Sequence, residues 1–323
     1  MRIGDLRCIA CGAGLDETGD DELRCRECPA RYAVRAGTPR MLLPGARTAV
    51  DTDIGRRTAA SFGYEWRRFG ELREEWAKNF ADYLQPHTPA SLAGKRLLDV
   101  GAGSGRHSLH AARAGARVTA VDLGASIDVA RRNLPASVMT VEADAEGLPF
   151  EPDSFDVVMA IGVLHHLPDP ERALREIARF ARPGGHVHVY LYWLPEQRWQ
   201  RCVLRAVGAL RRVTVRLPHR LLHALCYPLA ALLLALFVAP YRALRARPRT
   251  ARLAARLPLK TYADYPFGVL VNDQFDRFSA PLERRFTAGE VRAAMEAADL
   301  EDVVVLPHHG WIADGRRPSL GDD

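Results

Sequence analysis

Lysine is nearly missing from this 323-residue chain: three of its 45 basic residues are Lys and the rest are Arg. That bias fits a GC-rich genome as readily as a functional demand, so by itself it excludes nothing. Acid is absent altogether from Gln197 to Ala263, where 13 Arg and one Lys give +14. Because the chain nets +6, the remainder carries −8. A slightly acidic body with one strongly basic insert is the implied arrangement. The opening MRIGDLRC has no apolar run of the kind an export signal needs, so a reducing, cytoplasmic setting is expected. Composition is ordinary, with 48% hydrophobic and 26% charged residues. This excludes a disordered chain, a collagen and a disulfide miniprotein.

Four of the six cysteines lie in the first 28 residues, as Cys8-x2-Cys11 and Cys25-x2-Cys28. In a reducing compartment such paired turns point to a metal rather than to disulfides. Four thiolates close a tetrahedral zinc shell and leave no position for water, so the predicted role is structural. A segment this small has almost no core, so the metal would supply most of its folding energy. Cys202 and Cys226 sit singly in apolar helical pattern and are expected to be buried thiols.

Arg96–Val100 reads as a short apolar strand running into Asp99-x-Gly101-x-Gly103-x-Gly105. Glycines there permit positive φ and close approach of a ligand to the backbone. The following helical segment aims its N-terminus at the loop. A second strand, ARVTAVDL, ends at Asp122, where an acid can hold ribose hydroxyls. A third, VMTVEADA, leads to Asp144, suited to accept from an adenine amino group. A fourth, FDVVMAIG, is apolar throughout, as a strand buried on both faces must be. A helix over PERALREIARFARPGG is expected to stop at Gly184-Gly185, followed by a fifth strand, HVHVYLYW. Thr287 to Leu300 reads as a capped amphipathic helix, and EDVVVLP with GWIADGR as a closing antiparallel pair. Strand–helix alternation predicts an α/β, doubly wound parallel sheet.

The string LLDVGAGSGRHS, then VDL, then EADAEGLPFEPDSFDVVMAIGVLHHLPDPERALREIARFARPGG, resembles the class I S-adenosylmethionine-dependent methyltransferases, in particular the group of the ubiquinone and menaquinone methyltransferases. The likeness covers about 95–193 and resumes at 287–315. It implies a seven-stranded Rossmann-like sheet and S-adenosylmethionine as cofactor. It also implies that Asp99 approaches the cofactor's amino group and that Gly101, Gly103 and Gly105 lie against its methionine and ribose parts. Asp122 would bind the ribose hydroxyls, Asp144 and Ala145 the adenine edge, and Ile161 and Gly162 would line the transfer site. LRCRECPARYAVRAGTPRMLL is similar to the short zinc ribbon ahead of many bacterial methyltransferases, which also occurs as an activating subunit of some tRNA and protein methyltransferases. That likeness covers 5–43. Pro29 follows Cys28 where the family usually has Gly.

Transfer to an O–H or acidic C–H also needs a base. The candidates are His165 and His166, just past the fourth strand. The sequence favours the other reading, a loop pair that packs or caps the helix beginning near Asp169. His308 and His309 are weaker candidates. SFGYEWRRF (61–69) resembles a lid segment in which Tyr64, and also Trp66, would cover the cofactor; core packing is the alternative.

The implied domains are a zinc ribbon (1–45), a helical linker and lid (46–94), a cofactor-binding core (95–194), a basic apolar insert (195–285) and a completing helix and strand pair (286–323). Arg198, Arg201, Arg205, Arg212 and Arg216 at helical spacing make the insert's first part a cationic amphipathic helix. Pro218 breaks it, and 221–241 then carries no formal charge over 21 residues, enough to cross a bilayer. Three readings stay open: a transmembrane helix, a monotopic hairpin making peripheral contact through 198–247, or a cap packed on protein. FDRFSAPLERRFT is expected beside the acceptor pocket. The expected activity is methyl transfer to a small-molecule or lipid-linked acceptor, in the cytoplasm or on the inner face of the membrane. A ribosomal RNA or other nucleic-acid methyltransferase is the alternative. However, Tyr227, Phe237 and Tyr241 are the only aromatics between 200 and 260, few for base stacking. A non-enzymatic zinc-ribbon adaptor is the third reading.

Overall fold

The computed structural model describes residues 3–42, 52–74, 76–246, 250–255 and 257–319. The chain divides into two compact units, Met1–Arg201 with Leu282–Asp323, and Cys202–Pro281.

In the first unit, strands β1 (Leu15–Glu17), β2 (Glu22–Cys25), β3 (Arg31–Arg35) and β4 (Thr38–Pro39) form an antiparallel meander. Leu6, Leu15, Leu23, Tyr32 and Met41 fill its small core. The body is a seven-stranded sheet of β5 (Arg96–Val100), β6 (Arg117–Asp122), β7 (Met139–Glu142), β8 (Phe155–Ile161), β9 (Ala181–Leu191), β10 (Glu301–Pro307) and β11 (Trp311–Arg316). Its order is β10-β11-β9-β8-β5-β6-β7, with the β9–β11 and β10–β11 pairs antiparallel and the others parallel. This is the Rossmann-like arrangement the sequence predicts. The chain runs from β5 outward to β6 and β7, then returns to β8 on the other side of β5. The crevice at that reversal, at the strands' C-terminal ends, is where such sheets bind ligands.

Two expectations are corrected. The helix Pro170–Ala178, capped by the Asp169 side chain accepting from Arg172 N, ends before the glycines. Gly184 and Gly185 lie inside β9, where the register against β8 shifts between Phe155 and Val157. A Cβ on Gly185 would fall 2.9 Å from Arg182 O and 3.0 Å from Asp156 O, so glycine serves close strand approach there rather than helix termination. Of the two single cysteines, Cys202 is exposed and Cys226 is buried. The helix Arg198–Thr214 buries none of its residues, so an apolar pattern alone misplaced that thiol.

In the second unit, a continuous helical stretch from His219 to Arg245 is long and apolar enough to cross a membrane, but 28% of its most apolar window is buried. Pro218 sits at its start as expected. Leu222, Cys226 and Ala230 on the helix His219–Leu233 are buried, as are Leu270, Val271 and Phe275 on its packing partner, the helix Phe267–Ser279. Leu221, Leu225, Leu232 and Leu236 return to another face at helical spacing and are 49–54% exposed.

Candidate active site and metal centre

The glycine loop leaves β5 at the topological switch. Gly101 N and Ala102 N both donate to Val121 O, at 2.8 and 2.9 Å, which folds the loop back over β6. Gly101, Gly103 and Gly105 have φ of 75°, 57° and 85°. A Cβ on Gly101 would strike Val163, and one on Gly105 would strike Leu134. The tight turn therefore requires glycine both for conformation and for room.

Asp122, at the end of β6, accepts from Gly103 N and from Leu123 N, both at 2.6 Å. The two segments the sequence assigned to one cofactor are thus drawn together by that carboxylate. Burial pushes the Asp122 carboxyl up to about 6, against its hydrogen bonds from Gly103 and Leu123. Asp99 is buried beneath the loop and accepts from the Ser108 hydroxyl at 2.5 Å. Burial raises it to about 7, and the neighbouring Asp122 adds to this against the Ser108 hydrogen bond. Two acids held this high at the ends of adjacent strands suit a cationic ligand that would restore their charge.

Asp144 is fully buried two residues past β7, and its Oδ1 accepts from Glu146 N at 3.0 Å, with Ala145 buried beside it. Ile161 closes β8. Gly162 follows with φ of 80° and open space where a Cβ would point, at the C-terminal edge of the crevice. Tyr64 is partly buried on the helix Asp53–Phe69. On that helix it is Trp66 whose indole reaches the loop: a Cβ on Gly103 would lie 2.8 Å from its Cε2. The Arg106 guanidinium stands over both Trp66 and Trp76, 5.8 and 5.6 Å from their ring centres.

The histidines past β8 have different surroundings. His166 Nδ1 lies 2.7 Å from Leu282 O, and its ring meets Phe62 edge-on. His165 is fully buried and stacks on Tyr192 at 3.9 Å, and neither ring nitrogen has a hydrogen-bond partner. Burial, with the neighbouring His166 and Arg285, holds it well below its usual range, so the ring is neutral. Arg284 N donates to His165 O at 2.8 Å and Phe286 N to Tyr192 O at 2.9 Å, so residues 284–286 line the same end of the sheet. His308 lies elsewhere, edge-on to Tyr83.

The four ribbon cysteines converge. Cys8 and Cys28 Sγ are 3.6 Å apart and Cys11 and Cys25 Sγ 3.4 Å, with all four sulfurs within 4.8 Å of one another. Tetrahedral zinc at ordinary Zn–S lengths sets sulfurs about 3.8 Å apart, so the donor set fits the metal. The Tyr32 hydroxyl, 3.1 Å from Cys8 Sγ, and the Ala10 and Cys11 amides bring Cys8 down to about 6 against burial. Cys11 and Cys28 are pushed the other way by their sulfur neighbours, so one thiolate is stabilised by the surrounding thiols.

Sequence reasoning missed Arg40. It follows β4 and pairs with Asp128 Oδ1 at 2.5 Å and Glu142 Oε2 at 3.2 Å. The other oxygen of Glu142 accepts from Gly124 N at 2.9 Å, two residues beyond Asp122. Met41 N donates to Glu142 O at 2.7 Å, and the Thr38 and Thr140 hydroxyls lie 2.7 Å apart. The ribbon therefore holds the edge strand β7, whose Glu142 in turn accepts from the backbone just past Asp122. No motif marks Arg40; only the pairing of β4 with β7 reveals it.

Residues 98–189 match the family model for a methyltransferase domain. Those residues form a methyltransferase domain on a Rossmann-like sheet. Among curated relatives, a ubiquinone biosynthesis O-methyltransferase of Ralstonia nicotianae is 37% identical over 139 residues, covering 38% of this chain and 58% of that protein. A demethylmenaquinone methyltransferase of Clavibacter sepedonicus is 38% identical over 109 residues, covering 33% and 44%. The chain thus spans about half the length of the curated relatives it matches. Human N-acetylserotonin methyltransferase, solved with S-adenosylmethionine, is similar at 14% identity and a TM-score of 0.48, covering 86% of this chain and 61% of that one. The match ends at residue 189, so neither the ribbon nor the insert falls within it, although β10 and β11 complete the same sheet.

Proposed function

We propose that the protein transfers a methyl group from S-adenosylmethionine to a small, apolar or lipid-linked acceptor, of quinone type in the first instance, at the cytoplasmic surface of a membrane. The observation that carries the reading is the Asp122 carboxylate joined to Gly103 N and Leu123 N, beside the buried Asp99, at the sheet's switch point. Bound there, the sulfonium cofactor supplies an already activated methyl group.

The chain's own residues would do the rest. Asp99 and Asp122 would hold the amino group and ribose, Gly101, Gly103 and Gly105 would admit the ligand to the backbone, and Asp144 and Ala145 would meet the adenine. Tyr64 and Trp66 would cover the loop and exclude water. Ile161 and Gly162 would border the reacting end. Positioning supplies most of the acceleration in such a displacement. His165 is the proton acceptor for an acidic acceptor group, because its ring is neutral and its nitrogens are free of protein partners. His166, engaged with Leu282 O, would orient the loop.

Support for the acceptor class comes from the relatives named for ubiquinone and menaquinone synthesis. Support for membrane contact comes from the acid-free +14 of Gln197–Ala263 and the exposed leucines of the second unit. Such a surface suits anionic headgroups with apolar side chains entering the leaflet. The zinc of the ribbon would be structural.

The test incubates purified protein with methyl-labelled S-adenosylmethionine and lysate of a host strain lacking the gene. Organic, RNA, protein and small-polar fractions are then counted. Label in the organic phase is expected. Label in RNA would replace this reading with a nucleic-acid methyltransferase whose arginines track phosphates. Cofactor binding with no label anywhere would leave the adaptor reading.

A further inference from the structure

Away from the glycine loop, the first unit gathers His87, His186 and Asp314 so that one ligand atom of each lies within 4.8 Å of the others. His186 comes from β9 at the level of Val157, near the start of β8, and Asp314 comes from β11. His87 belongs to the segment that precedes β5. The cluster sits toward the N-terminal ends of the parallel strands, whereas the loop that would bind the cofactor leaves their C-terminal ends.

His186 Nδ1 lies 2.9 Å from Asp314 Oδ2, and His87 Nε2 lies 2.9 Å from Asp314 Oδ1. In the second contact the His87 ring is out of line for a good hydrogen bond, although its Nε2 is buried against the carboxylate. An imidazole nitrogen buried against a carboxylate oxygen and out of line with it is poorly satisfied, which is costly unless both atoms coordinate a cation beside them. Behind the carboxylate, the fully buried His188 places Nδ1 3.2 Å from Asp314 Oδ1 and Nε2 2.8 Å from Tyr83 O. Asp314 is thereby fixed in orientation, as ligating carboxylates are. The side chains of His87 and His186 are 23% and 27% exposed, so the open side of the cluster reaches solvent.

We propose that His87 Nε2, His186 Nδ1 and the Asp314 carboxylate form a second divalent-metal site, of zinc type and distinct from the four-cysteine centre. Two imidazoles and one carboxylate are a common zinc donor set, with water completing the shell. Its place in the fold makes it a staple that ties the segment before β5 to β9 and β11, with no part in methyl transfer.

The test uses the untagged full chain with Cys202→Ser, which removes an exposed thiol outside both sites. The protein is stripped of metal and titrated with cobalt(II). The first equivalent fills the cysteine centre and develops thiolate charge-transfer absorption. A second equivalent is expected to add visible d–d bands without further charge transfer, and zinc analysis of the reconstituted protein should give two ions per chain. His87→Gln and His186→Gln should each bring this to one, with the charge-transfer band unchanged. Saturation of the parent chain at one equivalent would overturn the proposal whether or not the variants fold. So would a second equivalent that survives both substitutions.

Discussion

The two compact units differ in how many of their arginines meet acids. In the first, guanidinium groups meet acids across the fold: Arg40 with Asp128 and Glu142, Arg182 with Asp156, Arg284 with Glu171. In the second, Arg245 pairs with Asp264, Arg211 and Arg242 donate to the carbonyls of Ala280 and Ala263, and Arg205 and Arg212, on a helix that buries nothing, and Arg216 just past it are exposed. Apolar side chains differ in the same way. Those of β5 and β8 are buried, whereas Val203, Leu210 and Val213 stand more than half exposed. The first unit consumes charge and apolar area in fixing positions. The second leaves both on its surface, where a partner of opposite charge and low polarity can use them.

The sharpest way to break this contrast is at the ribbon. Cys8→Ser should abolish stoichiometric zinc in the four-cysteine centre and unfold residues 3–42, read as fast amide exchange across β1–β4, with exchange in the second unit unchanged. Protection persisting in β1–β4 would mean the ribbon's own core suffices without metal.

The next largest effect is expected in the insert. Changing Arg205, Arg212 and Arg216 together to Gln should lower partition onto anionic vesicles about a hundredfold, since each basic group near a charged bilayer contributes about 1 kcal/mol. Thermal stability should hardly move. Equal partition by wild type and variant would remove the reason for setting the units apart.

Asp122→Asn should weaken S-adenosylmethionine binding by about thirtyfold, the scale of one charge-assisted hydrogen-bonding group. Calorimetry is the direct measurement, and an unchanged affinity would exclude Asp122 from the cofactor site. Arg40→Ala tests action at a distance within the first unit. It should cost about tenfold in cofactor affinity while zinc content stays at the wild-type level, because Arg40 acts through Glu142 on the Asp122 loop.

The smallest effect is in pH. Asp99 and Asp122 are raised by burial to about 7 and about 6, so in the free protein they hold protons that the unfolded chain would release. Their contribution to stability is therefore full below pH 4 and lost as pH rises through 6 to 7. Binding a cationic ligand favours the ionised form. Cofactor affinity should then rise several-fold from pH 5.5 to 7.5, with proton release visible as a dependence on buffer ionisation enthalpy. A flat profile would show that these acids do not face the positive charge.

Much of the core was legible because its signals are local. An apolar strand ending in spaced glycines, an acid at the next strand's end and a capping box at Thr287 and Glu290 each need only a few consecutive residues to state their geometry. The paired CxxC turns are equally local, and their four sulfurs meet. Gly184 and Gly185 misled because glycine marks helix ends and strand bulges alike, and only the register against β8 distinguishes them. Cys202 misled because an apolar helical stripe does not say whether anything covers it. Arg40 and the cluster at Asp314 left no local trace, since each acquires meaning from residues far along the chain.

By itself, then, the sequence determined the alternating architecture, the placing of the glycine loop and acids, the cysteine centre and the insert's one-signed charge, all consequences of spacing and residue type over short stretches. Only the tertiary structure decided that Trp66 rather than Tyr64 lies on the loop, which histidine lacks a partner, how the ribbon reaches the Asp122 segment and that Asp314 draws in three histidines. Those are contacts between segments up to some two hundred residues apart, and they are chosen by how strands pair and helices pack, which no short stretch of chain encodes.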